Sequence, residues 1–181
     1  RFMPLIYEES VRKDALYEVA KKMMTAARTA PKGHGTDNLI IAVAERDVIE
    51  AIAAKMKDMV QTGEAAEFFN RDANNILQSD ILVLLGTRIK PLGLRNCGLC
   101  GFKDCEEKYM HPEHPCAFNT GDLGIAVGSA ASVAADARVD NRIMFTVGKA
   151  ARALNLLGDE AKIIYGIPLS ATGKNPFFDR K

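Results

Sequence analysis

The grouping of the cysteines is the feature that most constrains this chain. All four lie in one window, with the spacing Cys97-x2-Cys100-x4-Cys105-x10-Cys116. The surrounding segment, residues 90–120, contains three prolines and shows little helical or strand periodicity, which predicts a structured loop. Because such a segment has no hydrophobic face to hold its shape, we expect a bound metal to hold it.

Thiolates at these intervals can converge on one metal centre. Gly98 and Gly101 lack a Cβ, so they permit the positive-φ turns that a loop needs in order to wrap a compact cluster. The backbone amides of the loop can then point toward the sulfur atoms and offset their negative charge. We therefore predict an iron–sulfur cluster, of the [4Fe–4S] type, on the four cysteines.

Three alternatives stay open for these thiols. Zinc is held by four cysteines in many proteins, but such sites usually pair two Cys-x2-Cys knuckles, whereas here three cysteines are bunched and the fourth is remote. Disulfides are less expected in a cytosolic chain of this size. Unrelated free thiols are the least expected, because no cysteine lies outside the window. His111 and His114 lie in the same segment, and we expect them to be close to the metal or exposed rather than to replace a cysteine.

The chain before the cysteines alternates between helical and strand patterns. Apolar residues recur at three- and four-residue intervals from residue 11 to residue 27, which predicts a helix capped by Ser10 and ended by Pro31. An unbroken apolar run at 39–44 predicts a buried strand.

Two more helices and a strand are predicted before the cysteines. Asp47 with Glu50 resembles a capping box that opens a second helix ending near Gly63. A third helix follows, and residues 81–85 have the pattern of another buried strand. The inward positions predicted for the third helix are Phe68, Phe69, Ile76 and Leu77.

After the cysteines, helical patterns cover about 121–137 and 142–157, and a last strand is predicted at 161–167. Small residues recur at four-residue spacing in the first of these helices, which allows another helix to approach closely, either in a dimer interface or inside the molecule. These residues are Gly124, Gly128, Ala131 and Ala135. The order of elements predicts a layered α+β or α/β structure in a single domain, residues 1–181.

Charge and hydropathy exclude several classes of partner. Lysine and arginine number 24 against 23 aspartates and glutamates, so we expect no nucleic-acid partner and no polybasic membrane surface. The most apolar stretch, 123–135, is bracketed by aspartates and is too rich in small residues to be a membrane span. The start of the sequence shows no signal-peptide pattern, so the expected location is the cytoplasm.

A family resemblance rests on four segments of the sequence. They are RKDALYEVA at 12–20, AARTAPKG at 26–33, the cysteines at 97–116 and YGIPLSATGKN at 165–175. Together they resemble a group of prokaryotic proteins described as uncharacterised and containing a ferredoxin domain. The likeness spans nearly the whole chain, and it implies a family without implying an activity, since none is established for the group.

A more distant resemblance is to the flavin-dependent nitroreductases. Ala30-Pro31 after the first helix, and the Gly166-Ile167-Pro168 element in the last strand, are similar to features of that fold. The resemblance implies an α+β nitroreductase-like fold, with a central sheet flanked by helices and the cysteine-rich metal-binding loop as an insertion. It also implies a homodimer with FMN at its interface. The basic residues that would face the FMN phosphate are Arg12, Arg28, Lys32 and Lys174.

The loop from Lys32 to Asp37 contains two glycines, a lysine and a histidine. Backbone amides in such a loop can approach a phosphate or another anion. A flexible surface turn explains the same residues, so both interpretations stay open.

Two functional hypotheses follow from the sequence. In the first, the protein is a cytosolic redox protein whose cluster passes single electrons, to or from a flavin in a nitroreductase-like pocket, with a redox partner that the sequence does not identify. In the second, a cluster or zinc ion only fixes the loop of a non-enzymatic interaction protein. No nucleophile, acid–base pair or triad stands out, so the sequence leaves open whether the protein is a flavin-dependent oxidoreductase or no enzyme at all.

Overall fold

A computed structural model describes residues 4–178 of the protein. The strands are β1 (Leu39–Ala44), β2 (Ile81–Arg88), β3 (Asp140–Asn141) and β4 (Ala161–Ser170). The helices are α1 (Glu8–Thr29), α2 (Arg46–Gln61), α3 (Phe68–Ile76), α4 (Cys105–Tyr109), α5 (Ala117–Asp136) and α6 (Phe145–Ala153). The strands form one antiparallel sheet in the order β1-β2-β4-β3.

Both faces of the sheet are covered by helices. In β2, Leu82 and Leu84 point to one side, and Ile81, Val83 and Leu85 point to the other, as expected for alternating side chains. Helices α2, α3 and α6 cover the first side, while α1 and α5 cover the second. The apolar run of β2 is unbroken because this central strand is buried on both faces.

Helix α6 packs closely against β4 at two glycines. A Cβ added to Gly148 would overlap the carbonyl oxygen of Ile164. A Cβ on Gly166 would overlap the side chain of Val147 in the same way. The two glycines therefore set the distance between α6 and β4.

Two predicted helix caps are wrong. α1 begins at Glu8 with Tyr7 as its N-cap, so Ser10 lies within the first turn, where its hydroxyl donates to the Tyr7 carbonyl at 2.7 Å. The capping box predicted at the start of α2 does not form. The Glu50 carboxylate instead accepts a hydrogen bond from Arg46 Nε at 2.6 Å, because the two side chains are neighbours one turn apart on the helix surface.

The third helix follows its predicted pattern in part. Phe69 and Ile76 are buried, Leu77 is partly buried, and Phe68 is 41% exposed. The sequence did not predict α4, which has five residues, or β3, which has two. Elements this short show no repeating pattern of apolar residues. None of the helices within residues 4–178 has the length and apolarity needed to cross a membrane.

Candidate metal centre and the adjoining groove

The four cysteines lie in the segment that joins β2 to α5, residues 89–116, which we name the cysteine loop. It is shorter than the predicted 90–120 because α5 begins at Ala117. Gly98 and Gly101 have φ values of 61° and 89°, which confirms that these positions need glycine. The backbone therefore turns on each side of Leu99 in a conformation that glycine favours.

The cysteines occupy different surroundings within the loop. Cys97, Cys100 and Cys105 are partly exposed, and Cys116 is buried. Cys116 is the N-cap residue of the 20-residue helix α5, a position where the backbone amides and the helix dipole favour negative charge on a thiolate. Cys105 is the first residue of the short helix α4.

The donor set fits an iron–sulfur cluster in its chemistry. Four thiols lie on one loop whose glycines allow close backbone approach. In the conformation of residues 4–178, no three side chains of His, Cys, Asp or Glu converge as metal ligands. Four-thiolate ligation would therefore require the loop to close further. The assignment of the four cysteines as ligands stays a prediction.

The two loop histidines pack around one aromatic ring. The Phe102 ring is stacked on His111 with a centroid distance of 5.0 Å, and it meets His114 edge-on at 5.5 Å. These ring contacts connect Phe102 to the part of the loop that carries the two histidines. His111 and His114 are both exposed residues, and their relation to a metal stays a prediction.

An apolar groove of about 400 Å³ adjoins the cysteine loop. Its walls are the turn after α1, the side chain of Leu99 and the first turns of α5. Leu99 lies between Cys97 and Cys100, and the first α5 residue in the wall, Ala117, directly follows Cys116. Residues next to Cys100 and Cys116 in the sequence therefore form part of the groove wall.

Asp122 is one of the residues that line this groove. Its buried carboxylate accepts a hydrogen bond from the backbone N–H of Gly33 at 2.9 Å. A Cβ on Gly33 would lie 2.6 Å from the Phe118 ring, so this position has no room for a side chain. Sequence reasoning missed Asp122 and took it as the border of an apolar stretch. A single carboxylate at the start of an apolar helix was the available signal.

Two of the predicted phosphate ligands lie at the groove end of α1 and already have partners. The Lys32 ammonium donates to the carbonyls of Arg28 at 2.6 Å and Ala30 at 2.8 Å, where it satisfies the last turn of the helix. The Arg28 guanidinium donates to Asp37 at 2.7 Å. Burial raises the pKa of the Asp37 carboxyl, but hydrogen bonds from Arg28 and from the Leu39 amide outweigh it, and the pKa lies below its usual value.

The other two predicted phosphate ligands lie elsewhere. Arg12 is in the first turns of α1 and forms an ion pair with Glu8. It is separated from Arg28 by 16 residues of helix, about 24 Å along the axis. Lys174 follows β4 on the exposed surface, and its carbonyl accepts from the hydroxyl of Thr172 at 2.8 Å. One chain thus brings together Arg28 and Lys32 but not Arg12.

Solved structures define the class of fold. A variant of the FMN and NADPH-dependent nitroreductase NfnB from Sphigopyxis sp. strain HMH has a TM-score of 0.61 at 10% identity, covering 100% of this chain and 86% of that one. A nitroreductase family protein from Clostridium novyi NT has a TM-score of 0.59 at 13% identity, covering 85% and 73%. The predicted α+β, nitroreductase-like fold is confirmed.

Sequence comparison gives the family. Residues 113–180 match the family described as "Uncharacterized protein containing a ferredoxin domain (DUF2148)". An uncharacterized protein of Archaeoglobus fulgidus is 38% identical over 186 residues, which cover 97% of each chain. The protein therefore belongs to this family of uncharacterized, ferredoxin-domain-containing proteins, as the four sequence segments predicted.

Proposed function

We propose that this protein is an iron–sulfur redox protein in which a [4Fe–4S] cluster on the four cysteines exchanges single electrons with a flavin, FMN, bound in the apolar groove. The observation that carries the proposal is that the cysteine loop forms one wall of the groove. When bound, the two cofactors would supply one-electron chemistry, while the protein supplies ligation, position and burial.

The chain would stabilise the negative charge of the cluster with the positive end of a helix dipole and with backbone N–H donors. The N-terminus of α5 faces Cys116 with free amides and a favourable dipole. The positive-φ glycines let the backbone turn toward the sulfur atoms. This combination suits four thiolates, whose shared negative charge an apolar pocket alone would not stabilise.

On the flavin side, the groove fits a planar ring better than it fits a phosphate. It is lined mainly by apolar atoms, and its volume is in the range of small-molecule sites. Among residues 4–178, Lys32 is the cation in its wall, and its ammonium is held by the carbonyls of Arg28 and Ala30 at the end of α1. A phosphate would therefore need a cation from outside the described chain, and Arg12 or Lys174 of a second copy is the proposed source.

A homodimer is part of the proposal. The outer face of α5 carries Gly124 and Gly128, where an added Cβ would meet no atom of the described chain within 4 Å. The apolar side chain of Ile125 lies between them and is 49% exposed. Another helix can approach such a face closely. Light scattering coupled to size exclusion tests this part, and a monomer at micromolar concentration would contradict it.

The test of the redox proposal is the visible spectrum of protein purified without oxygen. We expect a brown protein whose absorption bleaches on addition of dithionite, and which releases a yellow, fluorescent flavin on denaturation. A colourless protein with one bound zinc would contradict the redox function and favour the alternative, a non-enzymatic protein whose loop is fixed by metal. A brown protein without flavin would contradict only the FMN half.

A further inference from the structure

The cysteine loop contains a buried lysine. Lys108 is 1% exposed, although the other residues of its short helix, α4, are partly or fully exposed. Its ammonium donates to the backbone carbonyl of His111 at 3.1 Å. No carboxylate within residues 4–178 forms an ion pair with it. Sequence reasoning gave no signal for this residue, because a lysine in a polar loop is usually solvated.

Burying an ammonium group without a counter-charge is costly. The ammonium loses its hydration, and one neutral carbonyl offsets only part of that loss. Lys103, five positions earlier in the same loop, shows the ordinary case of an exposed lysine. The burial of Lys108 therefore calls for an anion that the polypeptide does not itself supply.

The position of Lys108 indicates which anion this is. Lys108 and Cys105 are three residues apart on α4, so they lie on the same side of that helix. The carbonyl that accepts the hydrogen bond from the ammonium belongs to the same loop that carries all four thiols. A cluster with four thiolate ligands is negatively charged in both of its oxidation states, and one-electron reduction adds a further negative charge.

We propose that Lys108 is the counter-charge of the metal centre, and that it raises the reduction potential of the cluster by stabilising the reduced form more than the oxidised form. This inference rests on the proposed function, because it requires that the loop holds a cluster. Lys108 would act as a positioning and charge-tuning residue without being a ligand.

The experiment compares Lys108→Met with Lys103→Met in anaerobically loaded protein. Both changes remove one positive charge from the loop, but only the first removes a buried one. Midpoint potentials come from titration with dithionite, followed by electron paramagnetic resonance. We expect K108M to have a more negative potential than wild type, and K103M to stay close to wild type. In the metal-free state, K108M should be at least as stable to urea as wild type, since it removes an uncompensated buried charge.

The outcomes separate this inference from the proposed function. If wild type holds no cluster, both fail. If wild type and K108M hold clusters of equal potential, the inference fails and the proposed function stands. If K108M does not bind the cluster, Lys108→Arg is the deciding variant. Iron bound by K108R supports a charge role for Lys108. If neither variant binds iron, Lys108 has a packing role and the inference is overturned.

Discussion

The types of side chain that are buried differ between two regions of the molecule. One region is the sheet with its covering helices, and the other is the cysteine loop. In the sheet and its covering helices, large apolar side chains such as Leu84 and Ile52 are at most 2% exposed. In the loop, Leu99 and Met110 are 68% and 71% exposed, while Lys108 is buried. Hydrophobic burial can hold the first region in place, but it cannot hold the second. The shape of the loop therefore depends on something other than apolar packing, and a bound metal is the proposed cause.

The sharpest test of this contrast removes one apolar side chain from each region. Ile52→Ala creates a cavity between α2 and the sheet and should lower the free energy of unfolding by about 4 kcal/mol. Leu99→Ala should change it by about 0.5 kcal/mol or less, because the side chain is mostly in solvent. Urea unfolding of the metal-free protein measures both. Equal losses would mean that the loop belongs to the core.

A somewhat smaller contrast is expected for two glycines. Gly148→Ala forces α6 away from β4, since the neighbouring atom is the rigid backbone carbonyl of Ile164, and should cost about 3 kcal/mol. Gly93→Ala in the loop meets open space at φ 72°, so only the backbone strain of about 1 kcal/mol remains. The same urea measurement applies. If Gly93→Ala lowers the free energy of unfolding as much as Gly148→Ala does, the proposed difference between the two regions is wrong.

The smallest effect is expected at the ion pair between Arg28, in the last turn of α1, and Asp37, which precedes β1. The folded pKa of Asp37 lies below its usual value of 3.8. The ion pair therefore stabilises the fold above about pH 4 and loses this contribution as the pH falls through the folded pKa. Because the pair is largely exposed, we expect about 0.5 kcal/mol.

Asp37→Asn removes the charge but can still accept the hydrogen bond from the Leu39 amide. The variant should be less stable than wild type at pH 7, and the difference should be smaller at pH 3, because the contribution is lost as the pH falls toward the folded pKa. Asp14→Asn, at an exposed position on α1, is the matched control and should match wild type at both values. A difference between wild type and D37N that grows at low pH would contradict the assignment.

Much of the sheet region could be predicted from the sequence, because its elements are long enough to show a period. Strand β1 was predicted at its observed bounds, and α1 and α2 were found with errors only at their caps. The caps failed because Ser10 and Glu50 each had a nearer partner in the folded chain, which a local pattern does not contain.

The candidate site could be predicted only where residue type alone carries the chemistry. The four cysteines identify the loop without a structure. The groove depends on contacts between distant segments, such as the hydrogen bond from Gly33 to Asp122, 89 positions apart. The buried state of Lys108 likewise depends on how the loop folds, and no local rule predicts it.

We propose that an iron–sulfur cluster shapes the cysteine loop. The most direct test of this proposal is to measure iron, acid-labile sulfide and zinc per chain in anaerobically purified wild type and in Cys105→Ser. We predict iron and sulfide in equal amounts, about four of each per chain, and loss of both in C105S with unchanged helix content. Wild type with zinc and no sulfide, or C105S with the same iron and sulfide as wild type, would contradict the account.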